Sequence, residues 1–247
     1  MPAQKKRIDI LLVNKGLART RQHAQALIMA GQVLVNDEPV NKPGTHVHAD
    51  APLRIKGEAV PYVSRGGLKL AAALKAFQVD VTDHSCLDVG ASTGGFTDCL
   101  LQSGARRVVA VDVGYGQLAW SLRQDKRVTV VERTNIRKMA ADALPYPVDL
   151  ITIDVSFISL KIVVPAVVKF TNPHTRLIAL IKPQFEVGKG LVGKGGVVRD
   201  PRLHQNVISD LRSFFKRLGF EGPPVIPSPI LGPKGNREFL IYLETAG

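Results

Sequence analysis

The chain has 247 residues, room for one large domain or two, and its 45% hydrophobic content is ordinary for a folded protein. Its 33 basic against 21 acidic side chains leave a net charge of +12, which points to an anionic partner, nucleic acid or a membrane surface, over a mere solubilising surplus. Two cysteines without metal-ligand spacing, no apolar run near ~18 residues and no signal-peptide core behind the basic start predict a metal-free cytoplasmic protein and argue against a membrane span.

The first elements in chain order are short. Ile8, Leu11 and Leu12 have helical spacing over Arg7 to Lys15, and Gly16 ends that helix. Thr20 is placed to cap a second helix, Arg21 to Ala30, with Ala24, Leu27 and Ile28 on one face and Gly31 as its stop. β-like pieces follow: Val33-Leu-Val35, a turn at Asn36-Asp-Glu-Pro39, Val40, and Leu53-Arg-Ile55. Lys5, Lys6, Arg7, Lys15, Arg19 and Arg21 crowd the two helices with only Asp9 opposing them. Such a cluster supplies phosphate contacts, although a solvated helical hairpin would look the same by composition.

The Gly- and Pro-bearing stretch from Lys56 to Ser64 separates two composition regimes. We place a first domain at residues 1–60, a linker at 61–66 and a second domain at 67–247. Ser64 is positioned to cap a Leu- and Ala-rich helix, Arg65 to Phe77, within which Lys69, taken by itself, reads as an ordinary exposed lysine.

The second domain opens on a strand, a glycine turn and a helix: Leu87 and Val89, then Gly90 and Gly94-Gly95, then Phe96 to Leu101, with Gly104 as a stop. Parallel α/β sheets hold ligands at such a turn. The dinucleotide fingerprint fails, because its second glycine position holds Ser92. The D-x-G-x-x-x-G pattern starting at Asp88 is instead the usual nucleoside turn of S-adenosylmethionine enzymes. Asp88, Gly90, Ala91, Ser92, Gly94, Gly95 and Phe96 are therefore the candidate cofactor residues. Asp112, at the end of the next strand (Arg107 to Val113), is placed to accept the ribose hydroxyls. A plain βα turn with a solvated strand end is the simpler alternative.

The alternation continues through strands at Val128–Val131, Val148–Ile153 and Arg176–Ile181, with a helix from Ile158 to Phe170 kinked at Pro165. Asp200-Pro201 starts a helix to Leu218 with one apolar face, and Val225–Ile230 and Glu238–Leu243 close the set as an antiparallel pair. The predicted class is α/β, an open and mostly parallel Rossmann-like sheet.

Asp154 and Lys182 fall at the carboxyl ends of successive strands, on the edge shared with Gly90 and Asp112. An antiparallel last strand brings Glu238 to that edge, and Lys69 lies on the helix before the first strand. Two lysines and two carboxylates so arranged suit methyl transfer to a ribose hydroxyl, where the enzyme supplies alignment and a proton acceptor. Lys182 is the predicted base, positioned by Asp154 and Glu238, with Lys69 orienting the hydroxyl. The loop Gly188 to Gly196 is Gly-rich and basic through Lys189 and Lys194; it fails the P-loop spacing and reads as an RNA-closing loop or a plain surface loop. Gly232-Pro-Lys-Gly-Asn-Arg237 is a second basic loop beside Glu238.

Two resemblances sharpen this. Arg7-Ile-Asp9, Leu11-Leu12, Thr20-Arg21 and Ala26 through Gly31 to Asn36 resemble the αL motif of the small RNA-binding domain named after a ribosomal small-subunit protein, over about residues 6–60. It implies structured RNA bound through backbone and shape. Tyr62-Val-Ser-Arg-Gly-Gly-Leu-Lys-Leu70, Leu87 to Asp98, Asp154-Val-Ser-Phe-Ile-Ser-Leu160, Lys182-Pro-Gln-Phe-Glu186 and Val187 to Asp200 resemble the TlyA family across essentially the whole chain. Those are ribosomal-RNA 2′-O-methyltransferases, often labelled haemolysins, with a fold like the FtsJ methyltransferases. The resemblance implies S-adenosylmethionine as cofactor, a Lys-Asp-Lys-Glu tetrad at Lys69, Asp154, Lys182 and Glu238, RNA contacts that include Arg65, Lys189 and Lys194, and a cytidine ribose in large-subunit, and in some members small-subunit, rRNA as substrate.

Asp154-Val-Ser-Phe157 departs from the Asn/Asp-Pro-Pro-Tyr of amino methyltransferases, which favours oxygen as the acceptor. The linker lacks the Arg-x-Trp-Val of some family members, and the only tryptophan is Trp120, so linker control of cofactor binding is not expected by resemblance. A pore-forming haemolysin and a non-catalytic RNA-binding assembly factor are the competing functions.

Overall fold

The computed structural model describes residues 5–36, 38–56 and 60–245. The chain divides into two compact units, residues 1–61 and 62–247.

In the first unit β1 (Lys5–Arg7) leads into α1 (Ile8–Asn14) and α2 (Arg21–Met29). The Thr20 hydroxyl caps α2 by accepting from the His23 amide. Ile8 and Leu12 of α1 and Ala24 and Ile28 of α2 are fully buried, and with Val33 and Val35 they form this unit's own core. β2 (Val33–Val35) is flanked by β3 (Glu38–Val40) and, further along the chain, β5 (Leu53–Ile55), both antiparallel to it. β4 (His46–His48) pairs with β1 as a separate ribbon.

One expectation is corrected here. The predicted turn at residues 36–39 overran: Asn36 turns in the left-handed region, but Glu38 and Pro39 already pair with Val35 and Leu34. Proline is tolerated because β3 is an edge strand with no further partner to receive its missing amide hydrogen.

The second unit begins with α3 (Gly66–Ala76), β6 (Ser85–Val89), α4 (Gly95–Gln102) and β7 (Arg107–Val111). A short α5 (Trp120–Arg123), β8 (Val128–Val131), β9 (Leu150–Ile153), α6 (Leu160–Val167) and β10 (Arg176–Ile181) follow. Then come α7 (Pro183–Glu186), α8 (Pro201–Arg217), β11 (Phe220–Glu221), β12 (Ile226–Pro227) and β13 (Phe239–Thr245).

The sheet runs β8-β7-β6-β9-β10-β13, parallel through β10 and antiparallel at β13, with β11 and β12 also paired to β13. Its strands are apolar on both faces because helices cover both. Leu87, Val109, Ile151, Leu177 and Ile241 pack with α6 and α8; Cys86, Val108, Leu150, Ile178 and Leu240 pack with α3 and α4. The two cysteines are free and buried, and burial pushes the Cys86 thiol up to about 12 and the Cys99 thiol to about 11.

The predicted strand at residues 225–230 shrinks to Ile226–Pro227, since Pro227 and Pro229 remove two amide donors. The predicted helix at residues 158–170 starts two residues later, at Leu160, and ends as a 3₁₀ turn, Val168–Phe170, with Pro165 inside its last α turn.

Candidate active site

Every predicted strand of the parallel set delivers its carboxyl end to one edge, and a cavity of about 340 Å³ opens there. Gly90, with φ of 85°, turns the chain out of β6, and a Cβ at this position would lie 2.5 Å from the Asp154 carbonyl oxygen. The turn and the loop after β9 thus touch backbone to backbone, which only glycine permits. Gly90, Ala91, Ser92, Gly95 and Phe96 line the cavity. Gly94, with φ of 95°, lies under the turn, where a Cβ would sit 2.2 Å from Leu122 Cδ1.

Asp112 stands next to that wall. One of its oxygens accepts from the Ser92 amide (2.8 Å) and the other from the Gly114 amide (2.7 Å). Each oxygen keeps a lone pair, so the carboxylate is fixed in place and still able to accept two ribose hydroxyls.

Asp88 is corrected. It is fully buried and does not reach the cavity surface: its oxygens accept from the Thr97 hydroxyl (2.7 Å) and the Thr152 hydroxyl (3.0 Å). It ties β6 to α4 and β9 beneath the turn. Burial pushes its carboxyl up to about 6, against the lowering effect of the two hydroxyls.

Lys69, Asp154, Lys182 and Glu238 all lie in the cavity wall. They form two ion pairs, Lys69 Nζ to Glu238 Oε2 and Lys182 Nζ to Asp154 Oδ1, each 2.6 Å. Lys182 also donates to the Ser156 hydroxyl at 3.0 Å. Two sequence expectations change. Lys69 is buried, not an exposed helix lysine, and Glu238 pairs with Lys69, not with Lys182. The Glu238 side chain has no solvent exposure, and its Oε1 has no hydrogen-bond partner; it faces Gly232, where a Cβ would lie 2.0 Å from it.

The residues suit S-adenosylmethionine. The glycine turn lines a cavity of about 340 Å³, and Asp112 offers a fixed pair of acceptors beside it. Sequence reasoning missed Ser64, Gly66, Thr93, Ser156, Ile230 and Leu231 as lining residues, while Gly232 and Pro233 belong to the loop it had placed beside Glu238. Ser64 and Ser156 were visible inside the motifs Tyr62-Val-Ser-Arg65 and Asp154-Val-Ser-Phe157; Ile230 and Leu231 carry no chemical signal of their own. Among the described residues no group of His, Cys, Asp and Glu is placed to hold a metal ion.

The predicted RNA contacts separate into classes. Lys5, Lys6 and Arg19 are exposed, while the Lys15 ammonium donates to the Ala51 carbonyl at 3.0 Å. Arg7 and Arg21 both bind Asp9, which is fully buried and also accepts from Gln25. The Arg7 hydrogen bond leads the effects that hold the Asp9 carboxyl far below the usual carboxylate range. In the second unit Arg65 is exposed at the cavity rim and Lys194 is exposed in its loop. The side chain of Lys189 lies outside those described.

Residues 62–245 match the FtsJ-like methyltransferase family and residues 6–52 the S4 domain. The chain is 48% identical over 244 residues to the Mycobacterium tuberculosis 16S/23S rRNA (cytidine-2′-O)-methyltransferase TlyA, covering 98% of this chain and 91% of that protein. The chain belongs to the TlyA family. Its relatives include Hemolysin A of Brachyspira hyodysenteriae, 39% identical over 240 residues, with 96% of this chain and 98% of that protein covered. A solved structure of a hemolysin-named Streptococcus thermophilus protein shares 44% identity and a TM-score of 0.77, over 98% of this chain and 89% of that one. A Listeria monocytogenes methyltransferase structure, 16% identical with a TM-score of 0.54 over 74% of this chain and 99% of that one, shares the fold alone. This TlyA-family protein is an S-adenosylmethionine-dependent methyltransferase joined to an RNA-binding S4 domain. Among its described residues no helix is long and apolar enough to cross a membrane.

Proposed function

We propose that this protein methylates the 2′-hydroxyl of a cytidine in ribosomal RNA of the large subunit, in the cytoplasm, with the small subunit as a second candidate substrate. Residues 1–60 would bind the RNA, residues 61–66 link, and residues 67–247 carry out transfer. The observation that carries the reading is the paired tetrad: Lys69–Glu238 and Lys182–Asp154 in one cavity wall beside the glycine turn.

Bound at that turn, S-adenosylmethionine supplies a methyl group already activated on a sulfonium. The chain's own part is to align the ribose oxygen and to remove its proton. Lys182, in its unprotonated form, takes that proton as the C–O bond forms, and Asp154 and Ser156 hold its nitrogen in place. Lys69 orients the hydroxyl, and Glu238, buried and ion-paired, fixes Lys69. Exposed Lys5, Lys6, Arg19 and the outer edges of Arg7 and Arg21 provide the phosphate contacts of the S4 domain.

The test is transfer from labelled S-adenosylmethionine to purified 30S and 50S subunits that lack the modification, mapped by nuclease digestion and mass spectrometry. We expect a ribose-methylated cytidine, and a loss of roughly 10²- to 10⁴-fold in Lys182→Ala. A base-methylated product would overturn the tetrad chemistry. No transfer to either subunit, with cofactor binding intact, would favour a non-catalytic assembly factor.

A further inference from the structure

The two strand-end segments that carry the Lys182–Asp154 pair are joined by more than that pair. After β9 the chain runs from Asp154 to Ser159 without regular structure before α6 begins at Leu160. Within this run Val155 and Ile158 pack partly buried against the core, while Phe157 between them sits in the left-handed region at φ of 65° and is 90% exposed. After β10, Lys182 is followed at once by the single turn of α7. The Lys182 nitrogen reaches across to Asp154 and to the Ser156 hydroxyl, and the Phe185 ring packs against Phe157 with centroids 5.0 Å apart.

Glu186 makes the last tie. One of its oxygens accepts from the Ser159 hydroxyl at 2.6 Å and the other from the Leu160 amide at 2.9 Å. Ser159 is the N-cap of α6 and accepts from the Lys161 amide at 3.1 Å. A carboxylate at this place satisfies one orphan amide of α6, that of Leu160, and meets the positive end of the helix dipole. It comes from a different strand-end segment, so it fixes where α6 starts relative to α7, and hence where the Asp154 loop ends relative to Lys182. Glu186 is absent from the cavity wall.

We infer that Glu186 is a positioning residue for methyl transfer: it braces the Asp154–Ser159 loop against the Lys182 segment and so sets the geometry of the Lys182–Asp154 pair. The inference rests on the reading of Lys182 as base. Removing the brace loosens the reacting pair, while the start of the loop stays tied to the strand that leads into the cofactor turn, because the Asp154 amide donates to the Val89 carbonyl at 3.0 Å. A misplacement of about 1 Å in a reacting geometry costs on the order of 10²-fold in rate.

The test compares Glu186→Ala, Glu186→Gln and Glu186→Asp in the full-length protein, with labelled S-adenosylmethionine and unmodified 50S and 30S subunits as substrates. Glutamine keeps an acceptor for the Leu160 amide and a donor for the Ser159 oxygen, whereas aspartate is one methylene short. We expect kcat to fall about 10- to 100-fold in the alanine and aspartate variants. Cofactor KM and melting temperature should stay near wild type, and glutamine should restore most of kcat. Transfer by Glu186→Ala within about two-fold of wild type would overturn the inference. So would a loss that glutamine fails to restore, or one that follows a fall in melting temperature or a rise in cofactor KM. Lys182→Ala in the same assay separates the two readings. If Lys182→Ala is inactive and Glu186→Ala active, only the brace fails; if Lys182→Ala is active, the base assignment fails.

Discussion

Asp88 is a carboxylate where no water reaches, held by two threonine hydroxyls. Its carboxyl is pushed from 3.8 up to about 6, so the folded state binds its proton more tightly than the unfolded state. The favourable contribution is therefore complete below the unfolded value and is lost as pH rises through about 6. The full difference is on the order of 3 kcal/mol. Asparagine keeps the shape and the threonine hydroxyls can reverse to suit it. Asp88→Asn should therefore raise the melting temperature at pH 8 relative to wild type, with the gain shrinking towards pH 4. Thermal melts across that range check it, and a pH-independent difference would contradict it. This residue also marks a limit of sequence reading. Asp88 begins the cofactor-turn motif and so reads as a ligand, but its burial is decided by Thr97 and Thr152, which arrive from α4 and β9. Asp9 misleads in the same way: in sequence it is one acid among six bases, and in the fold it fastens two of them, Arg7 and Arg21.

At the scale of elements, α3 and α4 meet at their N-terminal ends through glycine. A Cβ at Gly95 would lie 2.2 Å from the Ser64 hydroxyl, 2.9 Å from the Gly67 amide nitrogen and 3.2 Å from Gly66 Cα. The serine side chain can swing away, but the α3 backbone cannot. Gly95→Ala should destabilise the protein by about 1–3 kcal/mol. That lowers the melting temperature by roughly 2–4 °C per kcal/mol and moves the turn that faces the cofactor. Calorimetric melting and cofactor titration should both register the change; an unaltered protein by both measures would show that the helices part freely. The strands of the parallel set were legible because burial on both faces leaves continuous apolar runs in sequence, as at Arg176–Ile181. β1 and β4 were not, since Lys5-Lys-Arg7 and His46-Val-His48 carry no apolar repeat and pair only with each other. Strand-end position put Asp154, Lys182 and Glu238 on one edge; Lys69, on a helix, was joined to them by the family resemblance, and neither showed the pairing. Which lysine meets Glu238 depends on how α3 lies over the sheet, which no local pattern records.

At the scale of the whole molecule, each unit has a core of its own, and every residue in the cavity wall falls at position 64 or beyond. Removing residues 1–61 should leave affinity for S-adenosylmethionine within about three-fold of wild type while rRNA affinity drops at least ten-fold at physiological salt, with a shallower salt slope. Titration calorimetry and filter binding at several salt concentrations measure the two, and a parallel loss of both would show that the cofactor site needs the first unit. The reversed direction of β13 has a further consequence. It returns the chain to the reactive edge so that Glu238 meets Lys69 across 169 positions of sequence. Contacts so distant in sequence are slow to close, because the intervening chain must be ordered first. While the polypeptide is being synthesised, the cofactor turn emerges long before the partner of Lys69. A nascent chain that has not yet reached Glu238 can thus own a cofactor turn without the Lys69–Glu238 pair.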